Sequence, residues 1–341
     1  MNIKLNKREG TILCNVIEHY IKTATPIGSQ FISERLENKL SSATIRNVMY
    51  NLEDLGFLTH PHVSAGRVPT ELGYRAYVDE LMEPEKVSAL NQKYIFENLK
   101  FISEPKEILK ITAKIISSIT NQLAIITFPK FEESILQKIE LIELSSNKFV
   151  ILLSLDGGII KTLILEMNEE IPISILNKIS RELNEKLSNL KLSEIKETFK
   201  ERIKDSEFMN LNITKIFIDS ADKIFEYSGE NEIYFDIPTK MLNHPEFENT
   251  KQFQAIIELL DKKEIIIQFL NKVNNTVEVK IGSESGDKRF KNFSVVYQNY
   301  TMGKTKGSIG VIGPTRMQYT KVVPVIDYIS NSLSSIFISL S

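Results

Sequence analysis

Cysteine is nearly absent from these 341 residues: Cys14 stands alone, so no disulfide framework exists. Cys14 adjoins the apolar stripe of a first helix and reads as a small buried side chain. Histidine is also scarce, and three of the four fall between positions 19 and 62. His60 and His62, with Pro61 between them, supply two ligands but no complete metal site. Long apolar runs are missing. None approaches the roughly 18 residues of a membrane span, and the polar N-terminus lacks the apolar stretch of a secretion signal. A cytoplasmic protein is expected. Charge of one sign is lacking too: the net charge is −2, and the first 82 residues hold equal numbers of basic and acidic side chains. That argues against a basic arm coating nucleic acid without sequence preference. No fixed-period repeat and no low-complexity tract appears.

Catalytic constellations are missing as well. Gly303-Lys304-Thr305 resembles the end of a phosphate loop, but the opening glycine is absent, because position 298 is Gln; a turn is the simpler account. No nucleophile, base and acid fall into a legible arrangement. No enzyme and no cofactor are expected.

What is present is a pattern between Leu40 and Tyr77. Ile45, Val48, Met49, Leu52 and Leu55 form one apolar stripe, while Ala43, Arg46, Asn47 and Tyr50 point the opposite way. Ser41 or Ser42 supplies the N-cap. Upstream, Leu13, Val16, Ile17, Tyr20 and Ile21 mark a first helix capped by Asn6, with Glu9 three residues on. Pro26 and Gly28 break it, and Ser29 caps a shorter helix bearing Ile32 and Leu36. After Gly56 closes the third helix, Phe57 and Leu58 begin a strand and Val68 lies on its return. The segment between, with Ser64 to Arg67 at its tip, makes a ribbon. Three helices and a ribbon in this order form a winged helix-turn-helix, whose third helix enters a major groove. The residues expected to meet DNA are Ser42, Thr44, Arg46, Asn47, Tyr50, Asn51 and Arg67, the last in a minor groove or on a phosphate. Lys4, Lys7 and Arg8 can share that face while Glu53, Asp54 and Asp79 face away.

Past a linker at Glu83-Pro84-Glu85, a helical pattern runs from Leu90 to Ile119, interrupted near Pro105. Strands are expected at 122–128, 135–144, 149–155 and 159–166, with Asp156-Gly157-Gly158 turning between the last two. From Pro172 to Tyr227 the spacing is helical, through Leu176, Ile179, Leu183, Leu187, Ile195, Phe199 and Ile203. Strands return at 277–281, 293–300 and 306–312 before a last helix through Val322, Ile326, Ile329 and Leu333. The chain therefore reads as an α+β multidomain protein in which an acidic helical segment interrupts an antiparallel domain.

The runs PIGSQ (Pro26–Gln30), LSSATIRNVMYNLEDLG (Leu40–Gly56), PHVSAGRVPTELGYRAYVDELM (Pro61–Met82), HPEF (His244–Phe247) and IGPTRMQY (Ile312–Tyr319) resemble the heat-inducible transcription repressor family HrcA, and the resemblance spans the chain. It implies a winged helix at 1–82, a GAF-like domain at 83–165 and 236–341, and a dimerisation domain inserted at 166–235. It further implies a homodimeric repressor of chaperone operons on an inverted-repeat double-stranded DNA operator, CIRCE, kept active by the GroEL chaperonin. One departure is visible: Ser285 follows Glu284 where the family tends to carry Asn. A regulator gated by a small effector is the alternative, with a GAF-like pocket lined by Tyr297, Tyr300 and Arg316.

Overall fold

The computed structural model describes residues 5–37, 39–62, 65–129, 131–145, 148–166, 171–209, 211–225, 232–243, 250–270 and 276–340. Helix α1 (Lys7–Thr23) opens with the expected reciprocal cap. Asn6 Oδ1 accepts from Arg8 N and Glu9 N, both at 3.0 Å, and Glu9 Oε2 accepts from Asn6 N at 2.9 Å. Its buried side is Ile12, Leu13, Val16, Ile17 and Ile21. Helices α2 (Ser29–Arg35) and α3 (Ser42–Asp54) follow. Ser29 is not the cap of α2: Gly28 holds that place without a side-chain bond. Ser29 is instead buried in the first turn, its hydroxyl 2.9 Å from that of Ser42, so it pins α2 to α3. Ser41 is the cap of α3, accepting from Thr44 N at 3.2 Å. Ile45, Val48, Met49 and Leu52 are buried as their spacing predicts, whereas Leu55, one residue past the helix, is exposed.

Strands β1 (Leu58–Thr59) and β2 (Val68–Pro69) pair antiparallel. Ile27 adds a third rung, exchanging both backbone bonds with Arg67 at 2.8 and 3.1 Å. Helix α4 (Glu71–Ala76) leads into a π turn at Tyr77–Leu81, with Tyr74 and Tyr77 buried.

Two helices, α5 (Ala89–Leu99) and α6 (Pro105–Thr120), precede a five-stranded sheet. Pro105 takes the helical start where a missing N–H costs nothing. The strands are β3 (Leu123–Thr127), β7 (Ile233–Asp236), β8 (Glu278–Ile281), β9 (Phe293–Met302) and β10 (Thr305–Pro314), in the order β7-β3-β10-β9-β8, all antiparallel. Helix α6 and the last helix, α13 (Tyr319–Ser339), pack on one face. On the other, Ile256 of α11 (Thr250–Asp261) and Ile266 and Leu270 of α12 (Lys263–Leu270) join Leu123, Ile125, Val295, Tyr297 and Ile312 in a second core. By length and composition α13 could cross a membrane. Here Val322, Ile326, Ile329, Leu333 and Phe337 bury its apolar side in the core.

Among the described residues, strands β4 (Leu136–Ser145), β5 (Lys148–Leu155) and β6 (Ile159–Glu166) pair only with one another. They belong with α7 (Ile173–Leu187), α8 (Leu192–Ile203), α9 (Asn212–Asp219) and α10 (Ala221–Phe225), not with the five-stranded sheet. The strands expected between 135 and 166 thus form a sheet of their own, while β7 pairs with β3 in the five-stranded sheet. The Asn184 amide seals the edge of β4: its Oδ1 accepts from Ile139 N at 2.8 Å and its Nδ2 donates to Ile139 O at 2.7 Å. Asp156 ties this unit to the larger sheet, accepting from Ile135 N at 2.8 Å and Lys304 N at 2.6 Å. Gly157 beside it has φ +74°, and a Cβ there would stand 2.6 Å from Met302 Cγ, so only glycine fits. The HPEF run lies outside the described residues.

Leu52 is fully buried where α3 meets α1 and the ribbon. Leu52→Ala is expected to cost the N-terminal unit about 2–5 kcal/mol by removing packed methyl groups. Amide exchange across residues 7–76 would check it, a loss below about 1 kcal/mol contradicting the packing.

Candidate nucleic-acid interface

The outward side of α3 carries Ala43, Arg46, Asn47, Tyr50 and Asn51, all exposed, with Tyr50 at 51%. Positions 43, 46, 47, 50 and 51 form one stripe because α-helical residues three and four apart share a face. Ser42 and Thr44 are half-buried at the helix start and their hydroxyls are already engaged. Ser42 bonds Ser29, and Thr44 bonds Ser41 at 2.8 Å. Of the seven expected contact residues, four therefore project together, two shape the helix start, and Arg67 behaves differently.

Arg67 lies on the returning arm of the ribbon, and its side chain is only 14% exposed. Its Nε is 2.7 Å from Glu53 Oε2, and its guanidinium sits 5.0 Å over the Tyr50 ring. His60 Nδ1, on the outgoing arm, bonds the other oxygen of the same carboxylate. Glu53 does not face away as the sequence suggested. It stands three residues after Tyr50 at the margin of the exposed stripe, and the ribbon folds over it. One carboxylate thus holds both arms against α3, and it neutralises Arg67 locally. Residues 63 and 64, at the ribbon tip, lie outside the described residues, as does Lys4; Lys7 and Arg8 are exposed. Asp54 and Asp79 are exposed, and Asp79 bonds Arg75.

No group of three or more potential metal ligands occurs among the described residues. Cys14 Sγ bonds Glu18 Oε1 at 3.5 Å, and burial, with the Glu18 charge second, pushes its thiol up to about 12. It stays protonated at neutral pH and has little nucleophilic character.

The residues expected to line an effector pocket do not line one together. Tyr300 is fully buried and donates to Thr127 O at 3.0 Å; burial holds its phenol well above the usual range. Tyr297 is buried in the second core and donates to Glu278 Oε2 at 3.0 Å. Arg316 is buried too and donates to Ile21 O at 3.0 Å, fastening the C-terminal part to α1. Their spacing in sequence gave no sign that each side chain points into packing. A groove of about 850 Å³ lies elsewhere, between α5 and α13, lined by Val87, Ile95, Phe96, Leu99, Tyr328 and Ile336 among others.

The sequence profile described as HrcA protein C terminal domain matches residues 106–323. The heat-inducible transcription repressor HrcA of Halalkalibacterium halodurans is 31% identical, covering 98% of both chains. That of Chlorobium phaeobacteroides is 32% identical over 97% of both. The crystal structure of a hypothetical protein superposes with a TM-score of 0.65 at 25% identity, covering 99% of this chain and 100% of that one. This chain belongs to the HrcA family, which is one of heat-inducible transcription repressors and not of enzymes.

Proposed function

We propose that this protein represses heat-shock chaperone operons in the cytoplasm by binding, as a homodimer, an inverted-repeat operator of the CIRCE type. The observation that carries the reading is the exposed stripe Arg46, Asn47, Tyr50 and Asn51 on a helix braced from behind by α1 and α2 and from the side by a ribbon. Arg and Asn are the side chains that read guanine and adenine edges. In this reading residues 1–82 are a winged helix-turn-helix, and Arg67 reaches DNA only by leaving Glu53 or by presenting the ribbon backbone. Repression needs affinity beyond what one such unit offers, and two on a symmetric dimer add their contacts.

The five-stranded sheet with its helices is the GAF-like domain, and the unit from about 131 to 225 is the inserted dimerisation domain. Helices α7 to α10 are expected from sequence to dimerise, but their apolar sides are already buried: Leu183, Phe199, Ile213 and Phe217 lie within the core. What remains open is the outer face of β4-β5-β6. Ile142, Leu144, Ile160 and Ile164 are 46–63% exposed there, with Ile142 and Ile164 on either side of Val150 in one cross-strand row. An aliphatic sheet face of this kind marks an association surface. It also gives the separated chain the exposed apolar surface that a chaperonin such as GroEL captures, which couples activity to folding state.

Three outcomes follow from this reading. Arg46→Ala should weaken binding to the inverted repeat by about 1–3 kcal/mol in a gel shift, with unchanged thermal unfolding; equal affinity would reverse the assigned orientation of α3. Paired Ile142→Glu and Ile164→Glu should yield a monomer by light scattering and lose most operator affinity, whereas a persisting dimer would move the interface elsewhere. Mild heating should reduce operator binding, and chaperonin with ATP should raise the active fraction without changing operator preference. Full, reversible binding through the stress range without response to chaperonin would contradict that coupling.

A further inference from the structure

Helix α4 is rigidly part of the N-terminal unit. Thr70 caps it, accepting from Gly73 N at 3.1 Å and donating to Gly56 O at 2.6 Å, while Thr70 N donates to Phe57 O at 3.1 Å. On its other side Glu71 and Arg75, one turn apart, meet β8 and the turn that follows it. Arg75 Nη2 donates to Val279 O at 2.6 Å, and its Nε donates to Glu284 Oε1 at 2.8 Å. A second bond to Glu284 Oε2 makes this pair bidentate, and Nη1 donates to Asp79 Oδ1 at 3.0 Å. Every guanidinium nitrogen is thereby used. Glu284 also accepts from Ile281 N at 2.9 Å. Glu71 accepts from Ser283 N at 3.2 Å and from the Ser283 hydroxyl. Gly282 is at φ +53°, and a Cβ there would meet the Glu71 carboxylate at 2.1 Å, so the turn closes only with glycine. Ser285 bonds Gly282 O at 2.9 Å and takes no part in these bridges.

The boundary beside these bridges is not filled by apolar packing. A polar cleft of about 580 Å³ lies there, lined by Arg75, Asp79, Glu278 and Lys280 among others. Elsewhere the two parts are joined by Arg316 on Ile21 O, Glu85 N on Thr320 O at 2.8 Å, and the Tyr74 and Tyr319 rings at 6.2 Å. Those contacts keep the parts attached. The forked, bidentate bridge adds something different, since a planar guanidinium on a carboxylate fixes direction as well as distance.

We propose that Arg75, Glu71 and Glu284 form a clasp that sets the angle of each α3 on the dimer, and so selects which spacing between operator half-sites is accepted. None of the three lies on the exposed stripe of α3; they are positioning residues. The proposal rests on the dimeric DNA-binding reading above. In a dimer the separation of two recognition helices must match the half-site separation along the duplex, and one base pair of extra spacer both translates and rotates the second site. A clasped head tolerates little of either, while an unclasped head swivels to follow.

The test uses the full-length protein, duplexes with the inverted repeat at its natural spacer and with spacers two base pairs longer and shorter, and a duplex with one half-site. The wild type should prefer the natural spacer by about tenfold or more, and Arg75→Ala or Glu284→Gln should reduce that preference to about threefold or less. Arg75→Lys, which keeps charge but not the fork, should fall between. Single half-site affinity should be unchanged in every variant, a readout that general loss of fold would not spare. Glu284→Gln keeps the side-chain shape and decides the matter if Arg75→Ala does not fold. Wild-type spacer preference in folded Glu284→Gln overturns the clasp. Failure of the wild type to distinguish any inverted repeat from scrambled duplex overturns the dimeric reading beneath it.

Discussion

Strand β10 is buried along nearly its whole length and hydrogen-bonded on both sides, to β3 and β9, and the rest of the molecule is organised by that constraint. A strand with no solvent face needs a helical layer above and below, here α6 with α13 and α11 with α12. The two layers leave only the sheet's ends and edges for attachments. Each further unit is fixed at one of them. The three-stranded unit is tied through Asp156 to Lys304, in the turn between β9 and β10. The turn after edge strand β8 meets α4, and Arg316, just past the end of β10, reaches α1.

The N-terminal unit was largely legible in the sequence because its helices are solvent-faced on one side, so apolar spacing, caps and breakers all leave a trace. The Asn6–Glu9 box and the stripe through Ile45 and Leu52 are examples. Ser29 was misread because a serine at a helix start caps in isolation, whereas here a neighbouring helix offers it Ser42. In the five-stranded sheet the signal weakens: β7 is four residues long, too short to show alternation. Helices α11 and α12 went unread although Ile256, Ile266 and Leu270 mark their buried sides. That β4, β5 and β6 form a separate sheet was not legible, since an antiparallel strand looks alike whichever sheet it joins. Only pairing separates β4-β5-β6 from the rest, and pairing is not a local property of sequence.

The same limit applies to side-chain roles. Arg46, Asn47, Tyr50 and Asn51 were legible as a group because helix geometry alone puts them together. Glu53, Arg67 and His60 were not, for their meeting depends on how a ribbon folds across a helix. The ribbon's cation is met there by one carboxylate of α3. Both side chains are largely shielded from water, so desolvation offsets much of the attraction, and more order than energy is gained. Arg75 illustrates the point over longer range, since two of its partners, Val279 and Glu284, stand more than two hundred positions away.

The Asn184 amide has a consequence beyond its two bonds. By occupying both backbone groups of Ile139, it denies the outer edge of β4 to any foreign strand at that point. A sheet with an exposed aliphatic face runs the risk of open-ended stacking, in which strands add sideways without limit. With the flank closed, sideways growth there is blocked while broadside contact stays free. At that point the edge is closed by two side chains of one helix, the Asn184 carboxamide and the Ser180 hydroxyl, which also donates to Ile139 O at 2.8 Å.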